Sequence, residues 1–159
     1  MKYVAFLRAI MPQINPSQKT DNLVRIFKDE GFENVKAYFA SGNILFESDE
    51  TDKLKLETKI EKALKEGTGI ETPTILRSLE DLEILVKKDP FKGITTTPTI
   101  KPHVTFLKDT KSDSEITFVV DISKTTTPKI MRDLEKKHSK NVTTRTWNTV
   151  MKVYNLMTK

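Results

Sequence analysis

The chain contains no cysteine, and its 159 residues include only five glycines and one tryptophan. Without cysteine it can form no disulfide, no thiolate metal site and no cysteine nucleophile, a composition typical of a reducing cytosol. Long apolar runs are also absent, since the run over residues 3–7 is interrupted by Arg8 and Pro12. A membrane span requires about 20 consecutive apolar residues, and a secretion signal needs a small-residue cleavage site. We therefore expect a soluble cytoplasmic protein with no membrane partner.

The chain also has only a small excess of positive charge. The 27 lysines and arginines exceed the 22 acidic residues by a formal net charge of +5. Over residues 53–66 lysines alternate with glutamates, which is typical of a solvated helix face with opposite charges as neighbours. A nucleic-acid footprint is the alternative interpretation of the basic excess.

The signatures of common catalytic sites are also missing. The chain has only two histidines: His103, which follows Pro102 at the start of a predicted strand, and His138, in the lysine-rich end of a predicted helix. No spacing of histidines and carboxylates fits a metal site, and there is no glycine-rich nucleotide loop and no GxSxG motif. We therefore predict no metal and no cofactor, and an enzyme only of an unrecognised type.

What the chain does contain, over residues 1–77, is the order strand, helix, strand, strand, helix, strand. The first strand is apolar almost throughout, which predicts burial on both faces. Ser41, Gly42 and Asn43 predict the turn of a β-hairpin, and Pro73 marks the last strand as an edge strand. This order is the split β-α-β pattern of a ferredoxin-like domain. The strands are predicted at about 3–10, 35–39, 44–47 and 72–76, and the helices at about 17–31 and 52–66.

Residues 78–159 predict a second, reduced α+β unit. A capping box at Ser78 to Asp81 begins a helix, and Thr127 with Pro128 begins another that ends near His138. Ile130, Met131 and Leu134 of that helix are expected to face inward, and a closing helix is predicted from Val150, Val153, Tyr154 and Met157. Strands are predicted at 103–108 and 115–121. The predicted fold class is thus α+β, with two ferredoxin-like (α-β plait) halves, 1–77 and 78–159, whose antiparallel sheets are covered by helices.

Four segments in the right order resemble one bacterial family, catalogued as domain of unknown function 1697. They are Val4-Ala5-Phe6-Leu7-Arg8-Ala9-Ile10, Gly31-Phe32-Glu33-Asn34-Val35 with Tyr38, Ser41-Gly42-Asn43-Ile44-Leu45-Phe46, and the stretch 143–150 around Trp147. The resemblance implies two small ferredoxin-like halves packed together, and it implies no established activity.

The loop after the first strand departs from that family. Its members usually carry an Asn-Val-Gly-Gly-type loop, where this chain has Met11-Pro12-Gln13-Ile14-Asn15. Glycine lets backbone amides approach an anion, whereas Pro12 and Pro16 have no N–H to donate. If relatives bind a phosphate-bearing ligand with this loop, we expect that ability to be lost or altered here. Thr146 also stands where the family commonly has Asn.

One group of residues predicts a ligand site. Arg8 ends an otherwise apolar strand, where a charge should be paired or lie at a cleft, and a tryptophan beside polar groups can form an aromatic wall. The candidate ligand-binding residues are Arg8, Ser41, Asn43, Arg145, Trp147 and Asn148. Two arginines would suit an anionic small molecule. The alternative interpretation is structural: Arg8 caps backbone carbonyls, Asn43 holds a turn and Trp147 fastens the C-terminus to the body.

The predicted function is a non-catalytic binding module that takes a small, anionic ligand or a protein partner at the cleft between the halves. One alternative is a weak nucleic-acid binder that uses the sheet face, with Tyr3, Tyr38 and Phe39 as stacking residues. The other alternative is the enzyme of unrecognised type.

Overall fold

The computed structural model describes residues 1–38, 42–108, 114–124, 129–139 and 141–159, with Ser114 described by its backbone alone. These residues form seven strands and five α-helices. The strands are β1 (Lys2–Leu7), β2 (Glu33–Tyr38), β3 (Asn43–Glu47), β4 (Thr74–Ser78), β5 (Ile100–Leu107), β6 (Ser114–Asp121) and β7 (Val142–Thr146). The helices are α1 (Thr20–Asp29), α2 (Lys53–Thr68), α3 (Leu79–Lys88), α4 (Lys129–His138) and α5 (Trp147–Met157). Every helix of this described part is too short or too polar to cross a membrane.

The first sheet has the strand order β2-β3-β1-β4 with antiparallel neighbours. β2 and β3 form the predicted pair of hairpin strands, although residues 39–41 of their turn lie outside the described residues. β4 is an edge strand, as the position of Pro73 predicted. Together with the helices α1 and α2 this is the split β-α-β element order expected from the sequence.

β1 is buried on both faces because successive side chains of a strand point in opposite directions. Tyr3, Ala5 and Leu7 pack against α1 and α2, whereas Val4 and Phe6 pack against the second sheet, α3 and α5. The predicted strand ends at Leu7 rather than at residue 10, because the chain turns at Ala9 with a left-handed φ of 58°. β1 is therefore the layer that two hydrophobic cores share.

Two of the three side chains that were predicted to stack on bases pack against these two cores. Tyr3 is only 1% exposed and stacks on Phe46, and Tyr38 packs against the second core; Phe39 lies outside the described residues. Base stacking requires accessible rings, so the buried Tyr3 is not available for it. Nucleic-acid binding stays a prediction.

Local signals account well for the helices between the strands. The Asp52 side chain accepts a hydrogen bond from the Lys55 amide at the start of α2, and Gly69 ends that helix with a left-handed φ of 76°. The capping box predicted at Ser78 and Asp81 is confirmed at the start of α3, with both reciprocal hydrogen bonds present. Such caps satisfy amides that a helix leaves unpaired, and each contributes about 1 kcal/mol.

The second sheet, with the order β6-β5-β7, repeats part of the first. β5 is antiparallel to both of its neighbours, as β1 is to β3 and β4, and α4 connects β6 to β7 as α2 connects β3 to β4. Only residues 108–113 connect β5 to β6, which is too few for counterparts of α1 and β2. The second half is thus reduced by one helix and one edge strand, and the α+β fold class is confirmed.

β7 is the element that the sequence did not predict. It is a five-residue, threonine-rich strand that pairs with β5, and its last residue, Thr146, caps α5 by accepting a hydrogen bond from the Thr149 amide at 3.3 Å. The closing helix itself is confirmed, with Val150, Val153 and Met157 buried.

α4 packs more loosely than its counterpart α2. None of its residues is buried, and Ile130, which was predicted to face inward, is 37% exposed. Only Met131 and Leu134 of the predicted inward set are partly covered. Among the described elements, α2 packs beside α1, whereas α4 packs mainly on β7. Its predicted cap, Thr127 with Pro128, falls outside the described residues.

Candidate ligand site

Arg145 projects from β7 to the first sheet. Its Nε donates a hydrogen bond to Asn43 Oδ1 at 2.7 Å, and its Nη2 donates to the Leu7 carbonyl at 2.8 Å. Its guanidinium carbon lies 5.5 Å from the centroid of the Phe6 ring. The structure therefore brings together two of the residues that the sequence selected, Asn43 and Arg145, at the junction of the two sheets.

Burial lowers the pKa of Arg145 to about 10, so the guanidinium remains charged at neutral pH. The charge is directed at oxygens of the protein itself, including the Thr143 hydroxyl at 2.7 Å. Asn43 in turn donates from Nδ2 to the Tyr38 carbonyl at 3.0 Å and so holds the end of the hairpin. The Asn43 contact matches the structural interpretation, in which this side chain holds a turn, and the Arg145 contacts join the two sheets.

Arg8 lies just after β1 and reaches a different part of the second half. Its Nη1 donates to the carbonyls of Ser139 and Val142 at 2.9 and 3.0 Å, and its Nη2 donates to Glu135 Oε1 at 2.9 Å. The arginine side chain is 25% exposed, whereas that of Glu135 is 61% exposed. An ion pair with one partner in water is weak. A ligand could therefore replace Glu135 as the partner of the partly exposed Arg8 guanidinium.

A cavity of about 210 Å³ lies beside Arg8, between the end of β1, the outer face of the second sheet and α4. Its polar wall includes two threonine hydroxyls, Thr105 Oγ1 and Thr144 Oγ1, which are hydrogen-bonded at 2.7 Å. Its apolar wall is the covered side of α4. The lining residues are Arg8, Thr105, Met131, Leu134, Glu135, Val142, Thr143 and Thr144. The cavity thus combines one guanidinium, several hydroxyls and a small apolar wall formed by Met131 and Leu134.

The remaining candidate residues lie elsewhere. Trp147 is the first residue of α5, and its ring meets Phe91 edge-on with centroids 5.2 Å apart. It packs against the core between the sheets, which fastens the closing helix to the body. Asn148 is exposed on the same helix, and Ser41 lies outside the described residues. Neither Arg145 nor Trp147 is among the residues that line the cavity beside Arg8.

The loop at residues 11–15 uses its backbone amides internally. The Met11 amide donates to Gln18 Oε1 at 2.9 Å, and the amides of Ile14 and Asn15 both donate to the Met11 carbonyl. Pro12 has no amide hydrogen to add. In this chain the loop therefore presents few donors to an anion.

Arg77 is the most buried charged residue of the described chain, and sequence reasoning missed it. It is 0% exposed in β4; its Nε pairs with Glu115 Oε1 at 3.0 Å, and its Nη2 donates to the Leu107 carbonyl at 3.0 Å. Its guanidinium also lies 5.3 Å from the centroid of the Phe106 ring. The available signal was similar to that of Arg8, an arginine directly after the apolar residues Ile75 and Leu76 at the end of a predicted strand.

A second buried ionic cluster joins α2 to the end of β5. Lys108 pairs with Glu57 Oε2 at 3.3 Å and with Glu61 Oε1 at shorter range. Burial raises the pKa of Glu57, and the nearby Lys108 opposes that rise. Glu61 also accepts a hydrogen bond from the Thr74 amide at 2.9 Å. The cluster connects the two halves on the side of the molecule where α2 meets β4.

The two histidines lie in a ring stack and at a helix end, respectively. The His103 ring stacks on Phe118 with centroids 5.6 Å apart, and its Nδ1 lies 2.9 Å from the Lys101 carbonyl. His138 is the last residue of α4, where a cation is favoured by the helix dipole. Among the described side chains, no three of His, Asp and Glu are placed to hold a metal ion.

Comparison with known proteins adds a family and a fold. The profile of the family described as "Protein of unknown function (DUF1697)" matches residues 1–129. No curated protein matches the chain. Among solved structures it is similar to the conserved bacterial protein SP0830 from Streptococcus pneumoniae, with a TM-score of 0.78 and 18% identity over 99% of this chain and 98% of that one. At this identity the likeness shows a shared fold and no activity.

Proposed function

The chain belongs to the DUF1697 family of proteins of unknown function, and from the cavity beside Arg8 we propose that it is a non-catalytic module that binds a small anionic molecule there. The observation that carries the proposal is the position of Arg8. Its guanidinium forms one wall of the cavity and is held in place by two backbone carbonyls, while its carboxylate partner Glu135 is mostly in water.

The other groups of the cavity support the same ligand chemistry. Hydroxyls such as those of Thr105 and Thr144 can donate to an anion or accept from a ligand hydroxyl. Met131 and Leu134 supply an apolar surface that excludes water from one side. A charged guanidinium in such surroundings favours a carboxylate or phosphate group. A volume near 210 Å³ is below the roughly 300–1,000 Å³ of pockets for drug-sized ligands, so it suits a small molecule or a single anionic group.

The test is calorimetric titration of the chain with inorganic phosphate, citrate, sugar phosphates and nucleotides. We expect saturable binding of at least one probe. Arg8→Ala should bind that probe at least tenfold more weakly, a loss of about 1.4 kcal/mol or more, because it removes the guanidinium that pairs with the anion. Glu135→Gln should increase the affinity, since it removes the carboxylate that competes for Arg8.

Arg25→Ala is the matched control. Arg25 is an exposed arginine of α1 that pairs with Asp29 at 2.8 Å, far from the cavity in the fold. The control should bind as the wild type does. Equal affinities for wild type and Arg8→Ala, or no binding by any probe, would refute the proposed site.

We also propose the finer assignments that the sequence suggested. These are a cytoplasmic location, supported by the absence of cysteine, and two ferredoxin-like halves divided near residue 77. The strand order of the first sheet and its partial repetition in the second support this division. A limited proteolysis experiment that cleaves first between β4 and β5 would test it, whereas first cleavage inside the first sheet would count against it.

A further inference from the structure

The guanidinium at the cavity beside Arg8 already holds an anion, the carboxylate of Glu135. Oε1 of that side chain accepts a hydrogen bond from Arg8 Nη2 at 2.9 Å. Arg8 Nη1 donates to two backbone carbonyls, those of Ser139 and Val142, so Nη2 is the nitrogen that an incoming anion can take over. A ligand carboxylate reproduces the single charge and the two oxygens of the group that now holds this position.

The charge of the cavity fits one negative charge better than two. Among the described residues that line it, Arg8 is the one cation and Glu135 the one anion. A phosphate monoester carries a charge of about −1.5 to −2 at neutral pH. After displacing Glu135 it would face a single guanidinium, with the displaced carboxylate still nearby. A monocarboxylate is balanced by the guanidinium alone, and this difference favours a carboxylate over a phosphate as the head group.

The rest of the cavity is suited to a short aliphatic chain. Met131 and Leu134 of α4 line it together with Val142, and both side chains from α4 are only partly covered by protein. Burial of each ligand methylene against such side chains increases affinity roughly fourfold. The volume of about 210 Å³ is small, so the chain must be short.

The threonine pair of the cavity contributes a further donor. Thr105 Oγ1 and Thr144 Oγ1 share one hydrogen bond at 2.7 Å, which uses one of their two hydroxyl hydrogens. Thr105 is only 1% exposed, so this pair lies within the protein rather than in open water. The hydrogen that is left over can be donated to a ligand oxygen.

We infer that the ligand of the proposed site is a short-chain aliphatic monocarboxylate. Its carboxylate takes the place of Glu135 on Arg8 Nη2. Its chain lies against Met131 and Leu134. The inference rests on the proposed function, since it assigns a ligand class to the same cavity, and it makes Glu135 a competitor that the ligand displaces.

The first test is NMR titration with acetate, butyrate and inorganic phosphate at constant ionic strength, followed at the methyl signals of Met131 and Leu134. Butyrate should bind roughly tenfold more tightly than acetate, because it buries two more methylenes. Phosphate should bind more weakly than butyrate. The methyl signals of Leu156, an exposed residue of α5, are the internal control and should not move.

Two variants separate the head group from the chain. Glu135→Gln should tighten acetate and butyrate by the same factor, because it removes the competitor of the carboxylate. Leu134→Ala should weaken butyrate at least threefold and leave acetate within twofold, because it removes part of the surface that the longer chain covers. Leu156→Ala is the matched control and should bind both probes as the wild type does. Circular dichroism verifies that each variant is folded.

The outcomes distinguish this inference from the proposed function. Equal affinities for acetate and butyrate would overturn the assigned ligand class. If phosphate then binds and Arg8→Ala abolishes its binding, the proposed function stands without this ligand class. No binding by any of the anions would overturn both. The comparison of acetate with butyrate uses the wild type, so it does not depend on whether Arg8→Ala folds.

Discussion

The two sheets of this chain share a central arrangement but differ in how completely they are covered. β1 lies between two hydrophobic cores, and α2 contributes four buried apolar residues, Leu56, Ile60, Ala63 and Leu64, to one of them. α4 occupies the equivalent place on the second sheet and has no buried residue. With one helix and one edge strand fewer, the second sheet has a more exposed helix and a cavity beside it. The proposed function rests on this cavity.

The junction between the sheets is an apolar contact surrounded by cations. At its centre Phe6 stacks on Phe106 with ring centroids 4.5 Å apart. Around it, guanidinium groups of one half donate to backbone carbonyls of the other: Arg145 to Leu7, Arg77 to Leu107 and Arg8 to Val142. Because the acceptors are backbone carbonyls, each of these contacts depends on one side chain only, the arginine. The difference between these arginines is their burial, and it determines what each can do besides joining the halves.

The largest expected effect is at Arg77, where removing the side chain breaks a buried ion pair between the halves. We expect Arg77→Ala to lower the free energy of unfolding by about 3 kcal/mol or more, because it leaves the partner Glu115 largely buried without its cation. Urea denaturation measures the change. Arg25→Ala, at an exposed ion pair, should change it by less than about 0.5 kcal/mol. A loss below 1 kcal/mol at Arg77 would show that the contact between the sheets does not depend on this ion pair.

The next effect compares the two equivalent helices. Leu64→Ala in α2 should cost about 3 kcal/mol, since Leu64 is fully buried and its truncation leaves a cavity. Leu134→Ala in α4 should cost about 1 kcal/mol or less, because that side chain is only partly covered. Urea denaturation of both variants provides the measurement. Similar losses for the two would mean that α4 is as tightly packed in solution as α2.

The smallest effect concerns pH. Because burial raises the pKa of Glu57, the folded chain holds this proton at pH values where the unfolded chain has released it. The Glu57 contribution to stability is therefore present at low pH and is lost as the pH rises from the ordinary glutamate value through the raised one. Glu57→Gln cannot ionise, so its stability relative to wild type should increase with pH over this window.

The measurement is urea denaturation of wild type and Glu57→Gln at several values between about pH 4 and pH 7. Glu66→Gln, at an exposed position of the same helix, is the matched control and should follow the wild-type pH dependence. A constant difference between Glu57→Gln and wild type would show that Glu57 ionises alike in the folded and unfolded chains.

Sequence reasoning succeeded where the determining contacts are local. The strand at β1, the hairpin strands, the capping box at Ser78 and the buried stripe of α2 all follow from residues within one element. It failed at β7, whose five residues alternate too little to indicate a strand and which forms only because β5 lies beside it. For Trp147 the sequence left two interpretations open, a ligand site and a fastening of the C-terminus to the body; in the structure its ring packs on Phe91.

The sequence alone determined the α+β class, the element order of the first sheet with its two helices, and the family. These depend on the spacing of apolar residues, on caps and on turns, all of which act over a few positions. Only the tertiary structure decided that Arg8 faces a cavity and that Arg77 is enclosed by protein. Arg8, Arg77 and Arg145 each lie in or directly after a strand, and the carbonyls of the other half that accept their hydrogen bonds lie 30 to 138 positions away in the sequence. Burial of a charge depends on everything that packs around it, so no local pattern could have separated the three.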